Sequence, residues 1–167
     1  MAMAISLARI DDRLIHGQVV MGWTKMLNAT VIVVPDDDAA ADPVQKMGMK
    51  AATPIGVRSA VVSVSEGAAL LKGPRLKNEK VIVVVRGPSV MLKLINEGME
   101  IKKVIVGNMR GEEGKKKITK EVAANREEWD LFKELDAKGI DLVIQWLPNG
   151  DSRNLNEILR KQDFSAL

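Results

Sequence analysis

Along the 167-residue chain, short apolar runs rich in β-branched residues alternate with longer stretches in which apolar residues recur every three or four positions. The runs fall at 4–8, 30–34, 60–64, 80–85, 103–106 and 140–146. They are near-continuous Val and Ile and do not alternate with polar residues, which predicts strands buried on both faces. Helical spacing marks the segments near 18–28, 40–52, 66–72, 88–97, 126–138 and 152–161. Parallel neighbours need a crossover that a helix supplies, so this alternation predicts an α/β fold. The expected architecture is a single-domain open, predominantly parallel β-sheet flanked by helices on both faces. Breakers support the divisions: Pro35 after the second strand, Gly87-Pro88 after the fourth, Gly139 after the helix ending at Lys138, and Pro148-Asn149-Gly150 after the last strand. No internal repeat or linker divides residues 1–167, and one domain is expected. Ligands of such sheets collect at the carboxyl ends of the strands, which is where candidate chemistry is sought.

Composition narrows the classes. Hydrophobic residues make up 46% and charged residues 28% of the chain, ordinary for a globular domain. The unbroken apolar runs are far shorter than the ~20 residues needed to cross a bilayer. The amino terminus carries no basic leader before Arg9, Asp11 and Asp12, so a cytoplasmic protein is expected. Zero cysteines exclude disulfides, zinc ribbons, iron-sulfur ligation and a thiol nucleophile. A single histidine, His16, excludes a histidine metal cluster and leaves only an all-carboxylate magnesium site open.

A net charge of +3 invites a nucleic-acid reading. Three Trp and two Phe offer little for base stacking, and the basic residues are mostly interleaved with acids. The dense tract of Lys115, Lys116 and Lys117 is read as a solvated face that can steer an acidic partner. The G-x-G-x-x-G and G-x-S-x-G patterns are absent, and Gly111 and Gly114 stand too close together for a Walker A loop before Lys115.

The first strand runs into Arg9-Ile-Asp-Asp-Arg-Leu-Ile-His-Gly-Gln, and helical spacing begins just after it with Val19, Val20, Trp23 and Leu27. His16 is therefore expected in a strand-to-helix loop at a helix amino terminus. Unpaired N–H groups and the helix dipole favour an anion there, and Gly17 lets the backbone come close to it. An imidazole can act as a neutral nucleophile near pH 7 and then leave readily, as a phosphoryl relay requires. Arg13 can offer a planar fork of donors to phosphoryl oxygens. Asp11 or Asp12 can orient the ring, and spacing alone does not choose between them. Asp36 and Asp37 follow the second strand, Arg86 the fourth and Asn108 the fifth. All four are secondary candidates for the same sheet edge, with turn, capping and solvated roles as the simpler alternatives.

The segment from Asp11 to Val19, preceded by Arg9-Ile10 and followed by Trp23, resembles the phosphorylation site of a known family. That family is the IIB component of the mannose/fructose/sorbose family of the phosphoenolpyruvate-dependent sugar phosphotransferase system. The likeness continues in order through Val33-Val34 with Asp36, Asp37 and Asp42, Gly56-Val57-Arg58, Val106 to Met109, Gly114-Lys115-Lys116 with Ile118, and the stretch from Gln145 to Pro148. Pro35, Asp38 and Ala41 depart from the family pattern, and Arg86-Gly87-Pro88 is similar to its Lys-x-Pro segment.

The resemblance implies a cytoplasmic protein-histidine phosphotransferase, held at the inner face of the membrane through its partners. In that scheme His16 takes a phosphoryl group from a IIA phosphohistidine and passes it to sugar through the membrane components IIC and IID. Beside that scheme, the residues' own chemistry makes Arg13 the charge stabiliser, Asp12 a candidate for orienting the ring and Gly17 part of the anion cradle. The group is carried covalently, so no cofactor, metal or nucleic acid is expected; oligomeric state stays open, a homo-oligomer included. The turn at Gly107-Asn108-Met109 is similar to members serving amino sugars such as N-acetylgalactosamine. The rival readings are a flavodoxin-like or nucleotide-binding module using the same crevice, and a basic nucleic-acid-binding domain.

Overall fold

The computed structural model describes residues 5–167. Its strands are β1 (Ile5–Asp11), β2 (Val31–Pro35), β3 (Arg58–Val62), β4 (Val81–Val85), β5 (Lys103–Asn108), β6 (Lys116–Lys117), β7 (Ala123–Ala124), β8 (Asp141–Gln145) and β9 (Ser152–Asn154). Its helices are α1 (Gly17–Leu27), α2 (Asp37–Ala40), α3 (Pro43–Ala52), α4 (Val64–Lys72), α5 (Pro88–Asn96), α6 (Arg126–Ala137) and α7 (Leu155–Lys161). Seven strands form one sheet in the order β3-β2-β4-β1-β5-β8-β9, parallel except for the antiparallel β8–β9 pair. A small antiparallel β6–β7 pair stands apart from it.

Alternate residues of the Val- and Ile-rich strands feed two separate cores. Ala8, Ile10, Val31, Val33, Val81, Val83, Val85, Val104 and Val106 point to one, where they meet Leu71 of α4, Met91 of α5, Phe132 of α6 and Leu159 of α7. Leu7, Ile32, Val34, Ile82, Val84 and Ile105 point to the other, with Val19, Val20 and Trp23 of α1 and Met49 of α3. Burial on both faces is why these strands lack polar alternation. It also places α1 on the face opposite α5 and α6. The connections leaving β4 and β5 thus diverge from the one leaving β1, and crevices open on either side of the β1–α1 loop.

The structure adjusts several boundaries. The first strand was expected to begin at Ala4, outside the described residues. It runs on to Asp11, so Arg9 and Asp11 are strand residues. Pro35 does not follow β2 but ends it, opposite Val62; a proline is tolerated at a strand terminus. The third strand ends two residues before its apolar run does because Ser63 is the N-cap of α4, where its side chain accepts from Glu66 N–H. The expected helix over 40–52 is two helices, each with its own aspartate cap, Asp36 and Asp42. The final helix loses its first turn to β9, and Asn154 caps what remains.

At the centre of the sheet β1 and β5 slip register, with Ile10 opposite Val106 but Asp11 opposite Asn108, leaving Gly107 out of step. Its missing side chain is filled by the guanidinium of Arg9: a Cβ on Gly107 would stand 1.9 Å from Arg9 Nη2 and 2.3 Å from its Cζ. Arg9 is 2% exposed and hemmed in by the Trp23 ring, so it has little room to yield. Gly107→Ala is expected to lower unfolding free energy by about 2 kcal/mol, the scale of an overpacked core. Urea melts of the two proteins check this, and superimposable curves would show that Arg9 can relax.

Candidate functional site

Leu14 and Ile15 are the anchors of the β1–α1 loop. Both are buried in the core beneath α1, at 3% and 5% exposure, while His16, Gly17 and Gln18 are exposed. Leu14 sits at φ 62° and Gly17 at φ 25°. A leucine in the left-handed region costs on the order of 1–2 kcal/mol, which burial of its side chain offsets. The reversal of direction turns His16 outward. His16 is the N-cap residue of α1, in extended conformation, and its side chain does not cap the helix. The N–H groups of the first turn have no partner inside the helix, and no acidic residue stands there. Among the described residues none hydrogen-bonds to the imidazole. The result is an exposed ring beside a bare helix amino terminus, where positive potential favours an anion.

Arg13 is fixed from beneath by Asp11, which is 1% exposed. The Arg13 Nε donates to Asp11 Oδ1 at 3.0 Å and Nη2 donates to Oδ2 at 3.0 Å, while the Arg13 backbone N–H also donates to Oδ1 at 3.0 Å. Arg9 completes the ladder, with Nη2 donating to Asp11 Oδ2 at 3.3 Å and Nη1 to the Gln145 carbonyl at 3.1 Å. Burial pulls the Arg9 pKa down to about 10 against the opposing charge of Asp11, so it remains cationic at neutral pH. Two cations thus share one carboxylate. Among the described residues nothing accepts from Arg13 Nη1, which leaves one edge of that guanidinium for a ligand.

Asp12 does not orient the histidine as expected. Its Oδ1 accepts from Asn108 Nδ2 and its Oδ2 from Arg110 N–H, both at 2.8 Å, because its side chain leaves the loop towards the end of β5. The Asp12 N–H also donates to the Asn108 carbonyl at 3.0 Å. Asp12 and Asn108 therefore hold the loop against the sheet. Asp11 binds Arg13 rather than the ring, and no aspartate touches His16.

Asp36 caps α2, accepting from Ala39 N–H at 2.8 Å, and receives Arg86 Nε at 2.8 Å and Nη2 at 3.2 Å. Burial works to raise the Asp36 pKa, but Arg86 and the Ala39 N–H outweigh it and leave the carboxyl below its ordinary value. Arg86 Nη1 also reaches the Asp12 carbonyl at 3.4 Å, so the pair braces the loop from the β2 and β4 side. Asp37 opens α2, and its Oδ1 accepts from Val64 N–H at 2.8 Å, joining α2 to α4. Among the described residues no three His, Cys, Asp or Glu side chains group as metal ligands would.

The basic tract is not the free patch expected. Lys115 pairs with Glu112 at 3.2 Å and Glu128 at 3.3 Å, and Lys116 donates to the carbonyls of Phe164 and Ser165 over the Phe164 ring. Two hollows flank the loop. One of about 250 Å³ is lined by Arg13, Leu14, Ile15, Arg86 and Gln45 of α3. A larger one of about 540 Å³ lies beyond Asp12, Asp36 and Arg86 towards α5. His16 lines neither and stands on the open surface. Arg9, Arg110 and Trp146, whose ring faces Arg13 with 5.1 Å from Cζ to its centre, escaped the sequence reading.

Comparison with known proteins identifies the family. The fructose-specific EIIB component of Bacillus subtilis is 38% identical over 158 residues, covering 95% of this chain and 97% of its own. The crystallised IIBSor domain of the sorbose permease from Klebsiella pneumoniae superposes with a TM-score of 0.92 at 34% identity, over 97% of this chain and 99% of that one. The mannose-specific EIIAB component of Escherichia coli K12 is 35% identical over 96% of this chain, which spans 50% of that protein's length. Residues 5–166 match the family described as "PTS system sorbose subfamily IIB component". With nearly the whole chain matched, the flavodoxin-like, nucleotide-binding and nucleic-acid-binding readings fall away, and the protein belongs to the sorbose-subfamily IIB components of the sugar phosphotransferase system.

Proposed function

We propose that His16 is the phosphoryl acceptor of this IIB component and that a phosphohistidine on a IIA partner is the donor. The observation that carries the reading is the exposed His16 ring, presented outward at the uncapped amino terminus of α1. A neutral ring nitrogen attacks phosphorus and forms an N–P bond while the donor's N–P bond breaks. Charge on the three phosphoryl oxygens is met by the first-turn N–H groups of α1, which Gly17 leaves unobstructed, and by the unoccupied edge of Arg13. Nothing needs to enter an enclosed pocket, which suits transfer between two protein surfaces.

The phospho-His16 form then passes its group to sugar carried by the membrane components IIC and IID. The group is held covalently, and no cofactor or metal takes part. The name EIIAB borne by the mannose-specific relative supports an A-type donor for this chain. Among the described residues no helix is long and apolar enough to cross a membrane. We place the protein in the cytoplasm, at the inner face of the membrane when docked on IIC and IID.

Incubation with phosphoenolpyruvate, the general phosphotransferase proteins and a cognate IIA is expected to add one acid-labile, alkali-stable phosphate per chain. His16→Ala should remove it; a full stoichiometry retained by that variant, read by intact-protein mass spectrometry, would refute the assignment. Arg13→Ala is expected to lower the rate at saturating phospho-IIA by about 100-fold, the scale of a lost transition-state donor, with a much smaller change in KM. Equal changes in both constants would make Arg13 a docking contact instead.

A further inference from the structure

We infer that Trp146 is a positioning residue for phosphoryl transfer, acting through Arg13. The inference rests on the proposed role of His16 and Arg13 and adds the part that sets the plane of the guanidinium. Asp11 grips Arg13 by one edge, through Nε and Nη2. An edge-on fork alone leaves the guanidinium free to tip about the axis of that contact. The Trp146 ring removes this freedom by presenting its face to the cation, with 5.1 Å from the guanidinium carbon to the ring centre. Edge and face together fix where Nη1 points.

The backbone that carries the ring is held from three sides. The Trp146 carbonyl accepts from Trp23 Nε1 of α1 at 2.8 Å, and Arg9 Nη1 donates to the adjoining Gln145 carbonyl at 3.1 Å. The turn that follows is closed by the Gly150 N–H donating to the Leu147 carbonyl at 3.0 Å and by Gln145 Nε2 donating to the Pro148 carbonyl at 3.0 Å. Pro148 packs on Gly22 of α1, where a Cβ would meet its ring carbon at 3.4 Å. Helix α1 therefore carries His16 at its start and grips the Trp146 turn about two turns later, through Gly22 and Trp23. Nucleophile and charge stabiliser are set by the same rigid element, the arrangement that keeps reacting groups in register. Trp146 is nevertheless 41% exposed, so its ring serves the Arg13 contact more than the core.

A docking role for this exposed indole is the competing account, and kinetics separate the two. Trp146→Leu keeps bulk without a π face, and Trp146→Phe keeps a face. At saturating phospho-IIA, Trp146→Leu is expected to slow labelling of His16 by about tenfold, the rate equivalent of a lost cation–π contact, with KM within about twofold. Trp146→Phe should recover most of the rate. In an Arg13→Ala background, Trp146→Leu should cost nothing further, since its effect passes through Arg13. A raised KM at unchanged kcat, or an undiminished loss in the Arg13→Ala background, overturns the inference. The Arg13 Nε–H resonance gives a readout independent of transfer: it should broaden in Trp146→Leu and stay sharp in Trp146→Phe, and an unchanged resonance in both overturns the contact. Failure of wild-type His16 to accept phosphate, with that resonance behaving as expected, would count against the proposed function alone.

Discussion

A single buried carboxylate shared by two guanidinium groups holds this site together. Asp11 closes the turn after β1, carries Arg13 on both of its oxygens, and is met from behind by Arg9. Taking such charges out of water is costly, and one partner without the others would be worse than none. Arg9 is accommodated only because Gly107 vacates the neighbouring strand, because the Trp23 ring covers it, and because the Gln145 carbonyl accepts from it. Contacts from β1, α1, β5 and β8 thus converge on one side chain. The cluster carries one positive charge more than negative.

Around that centre the sheet order does the placing. Because β1 lies between β4 and β5 while its own connection leaves on the other face, its loop emerges between two diverging neighbours. Each neighbour then ties the loop down with a polar group of its own: Asn108 from β5 and Arg86 from β4, the latter countered by Asp36 after β2. These residues cluster at the right edge of the sheet, as their positions after strands suggested, yet they brace the loop and leave His16 free. The result is a braced loop from which the His16 side chain alone stands clear.

The sequence made much of this legible. Val- and Ile-rich runs signalled the strands because double burial leaves no polar positions to blur them, and the loop carrying His16 stood out because helical spacing starts immediately behind it. The choice between Asp11 and Asp12 was not legible, since only the point where the strand ends decides that Asp11 is its last buried residue and Asp12 the first of the loop. Arg9 stood just after the first apolar run with no role of its own, because its partners Gly107 and Gln145 lie about a hundred residues or more away in the chain. Trp146 read as the last residue of a strand, whereas it opens the turn that reaches Arg13. Only part of the lysine tract's surroundings was legible: Glu112 stands three residues from Lys115, whereas Glu128 of α6 and the carbonyls of Phe164 and Ser165 come from elements far along the chain.

The bare start of α1 has a thermodynamic side. A serine or aspartate at that cap would ordinarily contribute about 1 kcal/mol to the helix, and this chain forgoes it by placing a histidine there. A phosphoryl group on that ring would bring acceptors to the same unfilled N–H groups and so do the work of the missing cap. Loading and folding would then be linked equilibria: the charged carrier would resist unfolding more than the empty one, and whatever strips the group away would return the helix end to its looser state.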